Sequence, residues 1–356
     1  MLPERELGGH DAVLEDDQAP EEEVEEAPRM MSPDPSPIPA AVAPPATVRA
    51  RSLDIVGARN WFFLASLVII IPGIISMASQ GFLLGIDFQG GTQLQLQFGN
   101  HPNLAEVQTT VSAQAVNGVV QQTSSGAFLI RSGSMDPKQQ LAFEAALAKR
   151  LGPVNQVSAS NVGPTIAGEI IQRAIVSILA ASTLILLYLA FRFRKVQGGL
   201  RSGIQFGGSA LLALLHDVFL VCGVFSILGK GIPYLGIPGS QLGQVDSLFL
   251  TAVLTVIGFS VHDTIVIFDR IRENMIVSQR LAFEQIVNLS IMQSAARSVI
   301  TSFTVVLVLL SLFLFGGDTL KGFVLALLIG IISGTYSSIF NASPLLVVWR
   351  RLQPVR

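Results

Sequence analysis

Six runs of mostly apolar residues, at roughly 61–79, 172–191, 203–228, 247–268, 298–316 and 322–349, decide what this chain can become. Crossing ~30 Å of hydrocarbon takes about 20 apolar residues wound as a helix, because the bilayer interior offers no water to satisfy an open backbone group. Each run is close to or above that length. The whole chain is 50% hydrophobic and only 13% charged, with a mean hydropathy of +0.56, which is too apolar for a water-soluble domain of this size. The expected fold is an α-helical polytopic membrane protein with six transmembrane helices.

The charged residues say which ends of the spans lie together. Arg51 and Arg59 precede the first span; Arg192, Arg194, Lys195 and Arg201 fill the second connection; Arg270, Arg272, Arg280 and Arg297 fill the fourth; Arg350, Arg351 and Arg356 end the chain. The alternate short connections hold only Lys230 and Lys321. Basic residues in short flanks stay in the cytoplasm, so both termini are expected there and residues 80–171 on the opposite side. Residues 1–50 are different in kind, with 12 of the 25 acidic residues, 3 of the 23 basic ones and nine of the 18 prolines. Such a segment buries too little apolar surface to offset its ordering entropy, and it is expected to be a disordered acidic cytoplasmic tail. What remains carries 20 basic against 13 acidic residues. In this setting the excess flanks the spans and does not indicate nucleic-acid binding. The first apolar run has no small-residue cleavage site and is expected to stay in the chain as the first span, within 51–79. The lone Cys222 forms no intrachain disulfide and reads as a small buried hydrophobe.

The segment 80–171 has the pattern of a small α+β domain. Leu94, Leu96 and Phe98 alternate with Gln93, Gln95 and Gln97, as in a strand with one buried face. Asn103 with Glu106 forms a capping-box signal before a helix over 104–116, and Asp136 with Pro137 opens another to about Arg150. Short extended runs at 118–122, 127–131 and 154–161 complete the order β-α-β-β-α-β, that of a ferredoxin-like unit. Residues 172–349 then supply the five remaining spans and 350–356 a short cytoplasmic end.

Within the spans, ionisable groups cost roughly 2.5–3.5 kcal/mol each at a helix centre and need a reason. Asp217, beside His216, lies in the third run, and Asp263, beside His262, in the fourth. Each is either a hydrogen-bonded structural carboxyl or a proton or ion site facing the bundle interior. Consecutive helical residues point about 100° apart, so neither His-Asp pair suits a metal ion, and no HExxH pattern is present. Gly199, Gly203 and Gly207, and likewise Gly330, Gly334 and Ser338, recur at four-residue spacing and predict close helix contacts. Gly90 and Gly91 follow Asp87 but lack the lysine and spacing of a phosphate loop.

Three stretches together resemble the SecF subunit family of the bacterial protein-export machinery, within the resistance-nodulation-division group: GIDFQGGTQL at 85–94, ALLHDV at 213–218 and IGFSVHDTIVIFDRIREN at 257–274. The resemblance covers about residues 55–350. It implies a translocation accessory, not an enzyme, which with a SecD-like subunit stands beside the SecYEG channel and draws an exported polypeptide outward. The proton gradient serves in place of any cofactor. It also implies structural motif roles for Asp87, Gly90, Gly91, Asp269 and Arg270, and proton coupling by Asp263, Arg297 and Asp217. The stretch SAARSVITSFT at 294–304 resembles the family's fifth-span entry, whereas His262 stands where the family usually has asparagine. In the expected topology, Asp263 and Arg297 both lie toward the cytoplasmic half. Arg297, Thr301, Thr304 and Ser311 form a stripe expected to face the bundle, so that the guanidinium meets Asp263. A small-solute exporter of the same superfamily and an intramembrane aspartyl protease are the competing readings.

Overall fold

The structure is a computed structural model that describes residues 53–114, 118–123, 125–196, 199–232, 235–238 and 240–354. The stretch read as an acidic tail lies outside these residues, as does Arg356. The first apolar run forms α1 (Arg59–Gln80). It leads through β1 (Leu83–Leu84) and the single turn α2 (Ile86–Gln89) into an α+β domain. That domain consists of β2 (Gly91–Phe98), α3 (Leu104–Ala113), β3 (Val119–Gln122), β4 (Phe128–Ser132), α4 (Pro137–Leu151) and β5 (Val154–Val162).

Its four strands are antiparallel in the order β3-β4-β2-β5, which joins the ends of two β-α-β halves as in a ferredoxin-like sheet. The alternation in β2 explains how the domain closes. Leu94, Leu96 and Phe98 join Phe128, Ile130, Val107, Val111, Phe143 and Leu147 in one core beneath the two helices. Both helices start on reciprocal caps: Asn103 Oδ1 accepts from the Glu106 amide at 2.9 Å and Asp136 Oδ1 from the Gln139 amide at 2.8 Å. The opposite face of the sheet is polar. Cross-strand registers place Ser160, Gln93 and Arg131 in one row and Ser158, Gln95, Leu129 and Gln121 in the next.

The chain returns through α5 (Pro164–Arg192) and α6 (Gly199–Lys230). A connection follows with β6 (Gly231–Ile232), β7 (Ile237–Pro238), a 3-10 turn at Gln241–Gly243 and β8 (Gln244–Val245). It then enters α7 (Ser247–Val277), α8 (Phe283–Phe315), α9 (Asp318–Ser337), a π turn at Ser338–Ala342 and α10 (Ser343–Leu352). Among the described residues, six segments are thus long and apolar enough to cross a membrane, the sixth running from Asp318 to Leu352. At 31 and 33 residues, α7 and α8 are about 46 and 50 Å long, so they extend beyond the hydrocarbon.

The last span is one apolar run in sequence but a helix, a π turn and a second helix in space. Pro344 is the reason: it has no amide to offer the preceding turn, and its ring crowds the carbonyl four residues back. The backbone widens there, and Ser343 Oγ donates to the Ser338 carbonyl at 3.0 Å. Close packing of α9 on α7 depends on Gly330 and Gly334, where added side chains would overlap Val256 and press on Ser260. Gly203 and Gly207 do the same for α6 against α5. Gly199 does not: it opens α6 at φ +62°, a conformation that disfavours a side chain, and a Cβ there would meet no neighbour.

A candidate proton site in the bundle core

Asp217 on α6 and Asp263 on α7 are 1% and 2% exposed, which leaves each dependent on protein partners for its polar contacts. Those partners come chiefly from α9, whose sequence around its close approach to α7 is rich in hydroxyls: Ser333, Thr335, Ser337 and Ser338 are all buried. Asp217 accepts short hydrogen bonds from Ser260 Oγ at 2.6 Å, Ser333 Oγ at 2.6 Å and Ser337 Oγ at 2.7 Å. His216 Nδ1 lies 3.0 Å from its other side, so these consecutive side chains converge although their Cα–Cβ bonds diverge. Asp263 is held more loosely. Its Oδ2 accepts from Ser302 Oγ of α8 and Thr335 Oγ1 of α9, both at 3.3 Å, and these two hydroxyls are 2.5 Å from each other. Thr264 Oγ1 and Ser338 Oγ, 2.8 Å apart, close the cluster next to the π turn.

This geometry is a pair of carboxyls on neighbouring helices, each solvated by hydroxyls that can either donate or accept. Such groups can relay protons through a dry core. Among the described residues, no group of three or more His, Cys, Asp and Glu side chains could hold a metal ion. The hydroxyl partners carry no single motif in the sequence. The density of Ser and Thr between Ser333 and Ser338, inside an apolar run, was the available signal.

Arg297 does not meet Asp263. It lies on the exposed face of α8 with Thr301, Thr304 and Ser311, whose hydroxyls bond to carbonyls of their own helix. The inward face is taken by Ser290, Ser294, Ser298 and Ser302. Helical spacing fits both stripes, and the tight helix contact selects the smaller side chains.

The motif residues tie the centre to both ends of α7. Asp87 Oδ2 accepts from the Ser247 amide at 2.8 Å and from Ser247 Oγ at 2.6 Å, so the turn that enters the α+β domain caps the helix carrying Asp263. β1 pairs in parallel with β8 immediately before that helix. Gly90 ends α2 at φ +73°, and Gly91 starts β2 at φ +134°, where a Cβ would stand 2.5 Å from the Ser132 carbonyl oxygen. At the far end, Arg192 of α5 donates to Asp269 at 3.1 Å, while Arg270 donates to Gln293 of α8 at 2.6 Å and to Glu273 at 2.8 Å.

Comparison with known proteins gives the family of the chain. The family described as "Protein export membrane protein SecD/SecF, C-terminal" matches residues 143–352, and the "SecD/SecF GG Motif" matches residues 75–100. Protein translocase subunit SecF of Thermobaculum terrenum is 47% identical over 311 residues, which are 83% of this chain and 94% of that protein. The SecF of Anaerolinea thermophila is 40% identical over 302 residues, with the same two shares. The crystal structure of SecDF, a translocon-associated membrane protein from Thermus thermophilus, superposes with a TM-score of 0.71 at 31% identity and covers 87% of this chain. A SecDF structure in a super-membrane-facing form gives 0.61 at 30% identity and covers 88%. The chain spans about two fifths of each SecDF chain, at 40%. With its glycine turn, its six spans and its two core carboxyls in one frame, this multi-pass membrane protein belongs to the SecF family.

Proposed function

We propose that the chain acts as a SecF-type accessory subunit of protein export, in which proton occupancy of Asp263 shifts α7 and moves the α+β domain. The observation that carries this reading is the Asp87 cap on Ser247, since 16 residues of one helix, about 24 Å, join the cap to Asp263. Asp263 is the better switch of the two carboxyls because its two contacts are long, whereas Asp217 is held by three short ones. Gaining or losing a charge there changes what Ser302 and Thr335 must do, and with it the preferred seating of α8 and α9 against α7. A charge crossing 100 mV gains ~2.3 kcal/mol, sufficient to bias a two-state bundle.

On this reading the arginine-bearing ends and both termini lie in the cytoplasm of a bacterium, the α+β domain lies outside its inner membrane, and a SecD-like subunit and the SecYEG channel are the partners. Arg297 then belongs to the partner side. Its guanidinium on an outward helix face calls for a polar cover, which a SecD-like subunit supplies. Asp263 serves proton movement while Asp217 holds the bundle together, and neither is assigned a catalytic step on the exported chain.

The test uses inverted membrane vesicles in which this chain is the sole source of SecF activity. Asp263→Asn should assemble with the SecD-like subunit in normal amount yet lose gradient-dependent export at least tenfold. Arg297→Met should lower the amount of SecD-like subunit that co-purifies. Full gradient-dependent export by assembled Asp263→Asn would refute the proton role.

A further inference from the structure

The first turn of α7 meets the α+β domain across a cavity of about 820 Å³ that the proton centre does not use, and charged side chains of both units gather there. Asp246 and Asp87 share that turn: Asp246 Oδ1 accepts from the Phe249 amide at 2.8 Å and Asp87 Oδ2 from the Ser247 amide at 2.8 Å. Arg131 reaches the cavity from β4. Its donors go to amides, Nε to Gln93 Oε1 at 2.9 Å and Nη2 to Gln241 Oε1 at 2.5 Å, while its charge acts on Asp246 through space. On α9, Asp318 and Lys321 pair with each other at 2.7 Å. Lys230, at the end of α6, does not line the space.

No common apolar core fastens the two units. The cluster around Phe225, Phe249 and Val253 in the bundle and the cluster around Leu94, Leu96 and Phe98 in the domain share no residue. The sheet joins the rest of the chain through two glycine links, Gly90–Gly91 before β2 and Gly163 before α5. Rotation at these links lifts the sheet with the Asp87 cap kept, opens the cavity to water and hydrates Asp246. In the seated arrangement burial raises the Asp246 carboxyl above its ordinary range and Asp87 adds to that, against the amides of Phe249 and Leu248 and the guanidinium of Arg131. A carboxyl that holds its proton more tightly when seated favours seating as the pH falls through its raised value. It opposes seating above that value, in the range over about 4 where a hydrated aspartate is ionised. The cap uses Oδ1, so a proton on Oδ2 leaves it in place.

We propose that Asp246 is a proton-operated latch between the α+β domain and the bundle, seated when protonated and released when ionised. On the orientation proposed above, on which this part rests, the latch faces the outer medium and ties the position of the domain to acidity on that side, while Asp263 serves in the core. The seating itself does not depend on that orientation.

The experiment measures the distance between domain and bundle in the full-length chain in lipid nanodiscs, apart from export. Spin labels on Ser134→Cys in the domain and Phe315→Cys at the end of α8, in a Cys222→Ser background, report it by pulsed electron resonance. From about pH 8 to about pH 4.5 the ratio of seated to lifted molecules should rise at least about threefold. Asp246→Asn and Asp246→Ser both keep a good cap and carry no titrating group. Both should show the seated distance at the higher pH and lose the response, whereas Asp263→Asn should respond as the parent does. A parent whose distances stay constant with pH, or an Asp246→Asn or Asp246→Ser protein that responds as the parent does, overturns the latch. Loss of the response in Asp263→Asn overturns it too, because the titration then belongs to the core. The proton role of Asp263 is decided separately, by gradient-dependent export of Asp263→Asn in vesicles, so either reading can fail while the other stands.

Discussion

Two aspartates in similar sequence settings, each following a histidine in an apolar run, have different duties because of what surrounds them. Asp217 is enclosed by three serine hydroxyls at 2.6–2.7 Å and by His216, and its removal would strand Ser260, Ser333 and His216 Nδ1 and leave Ser337 Oγ only its 3.2 Å bond to the Gly334 carbonyl. Asp217→Ala should therefore destabilise the folded protein by about 3 kcal/mol or more, with folded yield and export falling together. Size-exclusion yield and thermal midpoint, set against export per folded complex, check this. Constant export per complex is the expected outcome. Asp263, on two contacts of 3.3 Å, should show the reverse pattern, with yield kept and export lost.

Among the elements, α7 joins the most functions. Its first turn is capped twice, by Asp246 Oδ1 on the Phe249 amide at 2.8 Å and by Asp87 on Ser247. Only the second cap comes from the other side of the glycine turn, so it links two units where the first merely finishes a helix. Asp87→Ala should cost about 1 kcal/mol as a lost cap, raise hydrogen exchange at the Ser247 amide and reduce export per complex. Asp87→Asn, which keeps an acceptor at the same place, should restore all three. An Asp87→Ala protein with unchanged exchange at Ser247 would show that the cap is not what fastens the helix. The α9–π turn–α10 span shows how one proline reshapes an element: the break at Pro344 sits next to Ser338, which packs against Thr264 in the carboxyl cluster.

At the scale of the whole molecule, the arginine-bearing helix ends and the α+β domain occupy opposite sides of the bundle. The orientation proposed from those arginines can be read directly. In a Cys222→Ser background, a single cysteine at Ser134, exposed on the α+β domain, should react with an impermeant thiol reagent applied to intact cells. One at Gln279, exposed in the turn between α7 and α8, should react only after the membrane is opened. Labelling of Gln279→Cys from outside would reverse the topology.

Sequence alone determined the number and place of the apolar spans, because the hydrocarbon thickness sets a helix length that shows in composition. It also determined the strand and helix order of the α+β domain, since alternation and capping are local. The buried carboxyls were legible as expensive exceptions in apolar runs. Their partners were not. Whether Arg297 or Ser298 faces inward is a rotation of about 100° about one helix, which helical spacing leaves open and only packing against α7 and α9 decides. The same holds for the cavity between sheet and bundle: Gln121 and Gln241 are 120 positions apart, and it is the docking of the sheet over the ends of α7 and α9 that makes them line one space.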